Sequence, residues 1–148
     1  MTAANDAYKV TWLVRRLFRS MAEKADAYLH DSDMTAADRA VMEFLFPDTQ
    51  LTVPGIARRY QVSRQHVQVT VNRLLDRGLL LSSDNPRHRR SPLIRLSRDG
   101  RSAFAEIRRS ESELLDDVFS NVAIADLATT RRTLETLLKK ISKETHDE

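Results

Sequence analysis

The segment Thr52–Gly78, TVPGIARRYQVSRQHVQVTVNRLLDRG, contains two short helical patterns joined by a tight turn. Thr52 is a favourable N-cap for the first pattern, which has Pro54 in its opening turn. Ser63 caps the second pattern, and Gly78 ends it in the position that glycine favours after a helix. The spacing therefore predicts a helix-turn-helix, and we expect the rest of the chain to support it.

The second helix of this pair has two different faces. One face is an apolar stripe formed by Val67, Val71, Leu74 and Leu75. The other face is polar. In a helix-turn-helix the second helix enters the major groove of DNA, where Arg reads guanine and Gln or Asn reads adenine. The candidate DNA contacts are Ser63, Arg64, Gln65, Gln68, Val69, Asn72 and Arg73. The alternative is an ordinary amphipathic helix pair with a solvated polar face.

The charge of the chain is concentrated in one segment. Residues 52–101 contain eleven arginines, no lysine and three acids, whereas the remaining residues contain 13 basic and 18 acidic side chains. The overall charge of +3 therefore hides a local surplus of eight positive charges. Such a segment predicts a phosphate-binding surface carried by a mildly acidic body.

The composition excludes several other classes of protein. The chain has 148 residues and no cysteine, which suits one domain and rules out disulfides and cysteine-ligated zinc. No apolar run is long enough to span a membrane, and the first residues lack a signal pattern, so we expect a cytoplasmic protein. The histidines lack metal-ligand spacing and the three glycines form no phosphate loop, so we expect no catalytic site, metal or cofactor.

Two short apolar runs follow Gly78 and predict the strands of a hairpin, at Leu79–Leu81 and Leu93–Leu96. The loop between them is rich in arginine. Because it follows the second helix directly, we expect it to contact phosphates or the minor groove rather than only solvent. The candidate DNA contacts in this loop are Arg87, His88, Arg89 and Arg90.

Helical patterns flank this central region on both sides. A long helix is predicted from Asp6 to about Leu29, with an apolar stripe that needs another surface to cover it. Thr35 and Asp38 predict a capping box that opens a short helix ending before Pro47. After the hairpin, Ser97 caps a further helix. A break at residues 121–125 then precedes the last one.

Taken together, these motifs resemble the MarR family of winged-helix transcription factors over nearly the whole chain. In the wing, the family has D-x-R, five residues, then L-T-x-x-G. This chain has His88-Arg89-Arg90, five residues, then Leu96-Ser97-Arg98-Asp99-Gly100. Arg90 occupies the position of the family's minor-groove arginine. His88 replaces the acid that usually steadies the wing through a salt bridge, and Ser97 replaces threonine.

The resemblance implies a mainly α fold with a small β-hairpin wing. It divides the chain into an N-terminal dimerisation helix (residues 1–34), a winged helix-turn-helix DNA-binding domain (35–100) and C-terminal dimerisation helices (101–148). It also implies a homodimer on a palindromic operator in double-stranded DNA. A small aromatic or anionic ligand is implied as well, and Trp12, Arg15, Arg16 and His30 are the candidate effector-pocket residues.

We therefore predict a sequence-specific, DNA-binding transcriptional regulator that acts as a repressor. Two alternatives remain from the sequence alone. One is an architectural DNA-binding protein without effector control, and the other is a winged-helix module that binds protein. The charge of residues 52–101 argues against the second alternative.

Overall fold

The computed structural model describes residues 3–144, and the surroundings of side chains up to residue 142. It contains helices α1 (Ala3–Asp31), α2 (Ala36–Leu45), α3 (Val53–Tyr60) and α4 (Arg64–Asp76), strands β1 (Leu80–Ser83) and β2 (Leu93–Leu96), and helices α5 (Arg98–Phe119) and α6 (Ile124–Glu144). The predicted fold class, mainly α with a small hairpin, is confirmed.

The helix-turn-helix forms as its caps predict. The Thr52 side chain accepts a hydrogen bond from the Gly55 backbone N–H at 3.1 Å, and Ser63 Oγ accepts one from the His66 N–H at 3.0 Å. Between the two helices the chain reverses at Gln61, whose left-handed backbone has φ 58°. Capping satisfies backbone donors that a helix start leaves unpaired. The start of each helix is thereby fixed.

The apolar stripe of α4 is buried in one core with α2, α3 and the hairpin. Val67, Val71 and Leu74 are each 0% exposed, as are Met42, Leu45 and Ile56. Phe104 and Ile107 close this core from α5. Burial of one face fixes how α4 can rotate about its axis, and so it decides which side chains are left outside.

The hairpin is antiparallel and pairs Leu80 with Leu96 and Ser83 with Leu93. Leu51 adds a bridge to Ile94 on the other side of β2. The predicted first strand began one residue early, at Leu79. The Leu79 N–H donates to the Leu74 carbonyl at 2.9 Å, so this residue still belongs to the end of α4.

The first turn of α5 is locked onto the end of α4. Ser97 Oγ donates to the Gly78 carbonyl at 2.6 Å and accepts from the Gly100 N–H at 2.9 Å. A Cβ built on Gly100 would lie 1.9 Å from the Leu79 carbonyl oxygen. Only glycine permits this close approach of two backbone segments.

The chain separates into two compact units, residues 1–111 and 112–148, and α5 runs through the division. The predicted domain limits at residues 34 and 100 stay a prediction. In the first unit, the predicted stripe of α1 lies on the surface, at Val10, Leu13, Val14, Leu17, Phe18 and Met21. In the second unit, α6 exposes Leu134, Leu137, Leu138 and Ile141.

The predicted break after α5 is slightly shorter than expected, since α5 ends at Phe119 and α6 begins at Ile124. None of the helices in the described part of the chain is both long and apolar enough to cross a membrane.

Candidate nucleic-acid interface

The outer face of α4 is free of the core. Ser63, Arg64, Gln65, Gln68, Val69, Asn72 and Arg73 are all exposed. Val69 is 64% exposed, although Val67 and Val71 on either side of it are fully buried. An exposed apolar side chain that lies between amide side chains is suited to pack against the methyl group of a thymine in the major groove.

Two of the amides on this face are already paired with each other. Gln68 Nε2 donates to Asn72 Oδ1 at 2.8 Å across one helical turn. The bond leaves the Gln68 carbonyl oxygen and the Asn72 NH₂ group available to a ligand. The face therefore presents a fixed acceptor and a fixed donor, the two kinds of group that an adenine edge requires.

Aromatic contacts hold the start of α4. The ring of His66 lies 6.4 Å from that of Tyr60 at the end of α3, and Tyr60 lies 6.1 Å from Phe44 of α2. His66 is on the flank of the exposed face. The tilted ring contact with Tyr60 gives His66 a packing role that its sequence position did not reveal.

Arg73 differs from the other predicted contacts because it has a partner inside the protein. Its guanidinium forms an ion pair with the fully buried carboxylate of Asp38 and donates to Thr35 Oγ1 at 2.9 Å. Thr35 and Asp38 form the predicted capping box of α2, which is present. Arg73 thus ties the recognition helix α4 to the start of α2, and its contact with DNA stays a prediction.

The wing loop is organised by Asn85, which the sequence did not single out. Asn85 Nδ2 donates to the Ser91 carbonyl at 2.9 Å, and its Oδ1 accepts from the Arg87 N–H at 3.1 Å. Arg87, His88, Arg89 and Arg90 all lie exposed between these anchors. The Asn85 side chain thus bridges the wing loop from Arg87 to Ser91.

A network of three side chains joins α1, α2 and α5 within the first unit. Glu111 accepts hydrogen bonds from both Nε and Nη2 of Arg39, the latter at 2.8 Å, and from the Tyr28 hydroxyl at 2.8 Å. Burial and the bond to Glu111 raise the pKa of Tyr28 to about 12. Burial opposes the charge of Glu111, but the bonds from Arg39 and Tyr28 outweigh it and lower the pKa of that carboxyl.

Among residues 3–144, no group of three or more histidine or acidic side chains is placed to hold a metal ion.

Comparison with known proteins agrees with the winged-helix geometry. The MarR family model matches residues 32–91, which contain α2, α3, α4, β1 and most of the wing loop but not β2. A solved structure of a MarR family transcription regulator matches 98% of this chain and 96% of its own at a TM-score of 0.82 and 20% identity. The chain belongs to the MarR family.

Two further proteins are similar to this chain. An uncharacterized protein of Mycobacterium tuberculosis is 36% identical over 97 residues, which are 66% of this chain and 68% of that protein. BpsR of Bordetella bronchiseptica is 26% identical, with a TM-score of 0.70 over 90% of this chain and 92% of its own. The DNA binding of BpsR is regulated by 6-hydroxynicotinic acid.

The candidate effector residues of this MarR family chain are not gathered in one place by a single chain. Trp12, Arg15, Arg16 and His30 are all exposed on α1. His30 lies 14 positions after Arg16, which is about 21 Å along a regular helix. His30 therefore lies too far away to share a small-molecule pocket with the other three inside one protomer. Their role in ligand binding stays a prediction.

Proposed function

We propose that this MarR family protein binds an operator in double-stranded DNA sequence-specifically and represses transcription. The observation that carries the proposal is the outer face of α4, where Gln65, Val69 and Asn72 are exposed while the opposite face is buried. A helix held in this way can enter a major groove without disturbing the core. The surplus of arginine around it supplies attraction for phosphates.

The helix and the wing have different roles in this proposal. Gln65, Gln68, Val69 and Asn72 contact base edges, and Ser63 and Arg64 contact the backbone at the groove edge. Arg90 enters the adjoining minor groove, and Arg87 and Arg89 contact phosphates. Because a narrow A·T minor groove concentrates negative potential, Arg90→Ala should weaken binding to A·T-flanked operators more than to G·C-flanked ones. Equal losses of affinity on both kinds of operator would indicate that the wing contacts only phosphates.

The test of base recognition starts from a duplex that the wild-type protein selects from a randomised pool. Gln65→Ala and Asn72→Ala should each relax preference at one or two operator positions, by about 1–3 kcal/mol where the contact is bidentate. Affinity for random duplex should change little. The proposal fails if neither variant changes the preference at any position, or if the wild type selects no sequence.

We also propose that a second copy of the chain covers the exposed apolar side chains of α1 and those of α6, in the segments 1–34 and 101–148. A free monomer would leave Trp12 53%, Leu17 53% and Phe18 75% exposed. A two-fold dimer presents two copies of α4, which matches a palindromic operator. Sedimentation should give twice the 17.0 kDa chain mass, and a stable monomer at micromolar concentration would contradict this.

A small aromatic anion is the class of ligand we propose to release the DNA, and the regulation of BpsR by 6-hydroxynicotinic acid supports that choice. The chain contains a single tryptophan, Trp12, whose fluorescence reports binding near α1. Adding 6-hydroxynicotinic acid should alter that fluorescence and weaken operator binding over the same concentration range. A lack of response in both signals at millimolar concentration would exclude this ligand.

A further inference from the structure

The arginines of residues 52–101 divide into two groups in the structure. Three are paired with carboxylates, Arg73 with Asp38, Arg77 with Asp33 and Arg101 with Asp48. The other eight have no carboxylate partner among the side chains that the structure describes: Arg58, Arg59, Arg64, Arg87, Arg89, Arg90, Arg95 and Arg98. Only four of those eight belong to the proposed contacts of α4 and the wing. The remaining positive charge needs another explanation.

Two of the unexplained arginines line one cleft. Arg58 and Arg59, both exposed on α3, border an open cleft of about 450 Å³. Its other lining residues are uncharged: Gln50, Leu51, Thr52, Gly55 and Leu93. Arg58 Nη2 lies 4.0 Å from the point where a Cβ would stand on Gly55, so its guanidinium folds back along α3 into the cleft. The cleft therefore carries two positive charges and no acid.

The cleft lies between the two elements that we propose to contact DNA. On one side, Leu93 is the first residue of β2 and follows the wing loop directly. On the other side, Arg59 precedes Tyr60, whose ring contacts His66 at the start of α4. A duplex that α4 enters in the major groove and the wing in the minor groove has a backbone strand between those grooves. The cleft is therefore a candidate position for a phosphate of that strand.

We propose that this cleft binds a backbone phosphate of the operator, with Arg58 as the principal ligand and Arg59 as the second. The proposal rests on the function proposed above. A guanidinium donates two parallel hydrogen bonds to a phosphate, which an exposed arginine without an intramolecular partner is free to make. Such a contact fixes the position of the protein on DNA and carries no base information.

The test measures the affinity of Arg58→Gln and Arg59→Gln between 50 and 200 mM salt, on the selected duplex and on random duplex. The plot of log K against log salt has a negative slope, and each lost phosphate contact should make that slope less steep by about 0.9. The loss relative to wild type should therefore be about 3.5-fold larger at 50 mM than at 200 mM salt. Both duplexes should be affected alike, with operator base preference unchanged.

Arg132→Gln is the matched control, because it removes the same charge from an exposed arginine of α6. A direct contact with a defined phosphate is tested with duplexes that carry one neutral methylphosphonate at successive positions. Wild type should lose affinity at the contacted phosphate, whereas Arg58→Gln should lose much less there, because only Arg59 still contacts it. Thermal unfolding of both cleft variants should match that of wild type, since both side chains are exposed.

The outcomes separate this proposal from the proposed function. If wild type prefers its selected duplex but Arg58→Gln behaves like Arg132→Gln, the cleft proposal is overturned and operator recognition stands. A changed base preference in Arg58→Gln would make the cleft a base-reading site and would also overturn it. If wild type shows no preference among duplexes, operator recognition fails and the cleft proposal fails with it.

Discussion

Towards its start, α4 leaves Arg64, Gln65 and Val69 exposed to solvent. At its end, Arg77 is held by Asp33, which lies between α1 and α2, and Arg73 by Asp38 in the first turn of α2. Arg77 donates to the Asp33 carbonyl at 2.7 Å, and Arg73 is paired with the buried carboxylate of Asp38. Both ends carry arginine on an exposed face. The two ends differ in whether an acidic side chain lies close enough to pair with the arginine.

This difference assigns separate tasks to the two ends of one helix. The held end, at Arg73 and Arg77, fixes the direction of α4 relative to α2 through the bonds of these two arginines. The Ser97 bond to the Gly78 carbonyl joins the same end to the start of α5. The free end can then exchange solvent for DNA without losing any internal ion pair. Recognition groups held by a rigid frame lose little conformational entropy when they bind.

The largest effect should come from removing the held end's ion pair. Arg73→Ala leaves the Asp38 carboxylate buried without its cation, which should lower the free energy of unfolding by about 3 kcal/mol. Arg64→Ala removes an equal charge at the free end and should change stability by less than about 0.5 kcal/mol. Urea unfolding at one protein concentration measures both variants. Similar stabilities of Arg73→Ala and Arg64→Ala would show that the ion pair does not make the two ends of α4 different.

A somewhat smaller loss should follow when the contact of α5 with the held end is disturbed. Gly100→Ala places a methyl group against the Leu79 carbonyl oxygen and forces the two backbones apart, at a cost of about 2–3 kcal/mol. Gly78→Ala is the matched control, since its Cβ meets no atom within 4 Å and only the positive φ of 72° is strained.

That control should cost about 1 kcal/mol, the strain of a left-handed backbone for a residue with a Cβ. The same urea titration ranks the two glycine variants. If Gly78→Ala is the more damaging, the close approach of α5 to Leu79 contributes little to stability.

The sequence was sufficient to predict those features of the molecule that depend on neighbouring residues. The caps at Thr35, Thr52 and Ser63 and the glycine after α4 are local patterns, and each appears where it was predicted. The buried stripe of α4 follows from helical periodicity alone. The helix-turn-helix and its buried face could therefore be predicted from local patterns, whereas the complete winged-helix fold was implied by the family resemblance.

Contacts between distant residues could not be predicted in this way. Asp38 was recognised as a capping residue, but its partner Arg73 lies 35 residues away and was assigned only to DNA. Glu111 and Tyr28 are separated by 83 residues, and no local pattern connects them. The role of Asn85 could not be predicted, because an asparagine in a loop can form many different hydrogen bonds. Its bond to Ser91 depends on the path of the whole loop.

The smallest expected effect on stability comes from Tyr28. Tyr28 of α1 and Arg39 of α2 both bond to Glu111 of α5, so these bonds connect α2, which holds the end of α4, to α1 and α5. Arg39 follows Asp38 in sequence, so one turn of α2 contacts Arg73 on one side and Glu111 on the other. Tyr28→Phe removes the hydroxyl that donates to Glu111 and should lower stability at neutral pH by about 1 kcal/mol. Tyr8→Phe is the control, because Tyr8 is 75% exposed on the same helix.

The pH dependence gives this last prediction a second measurement. Burial, followed by the bond to Glu111, raises the pKa of Tyr28 from 10.0 to about 12 in the folded protein, so the folded state retains the proton longer than the unfolded state does. The stability from this group is therefore fully present below pH 10 and is lost as the pH rises from about 10 to about 12. In that interval wild type and Tyr8→Phe should lose stability more steeply than Tyr28→Phe. Near-ultraviolet titration should show one late-ionising tyrosine that disappears only in Tyr28→Phe, and a tyrosinate signal complete by pH 11 in wild type would place Tyr28 outside the held network.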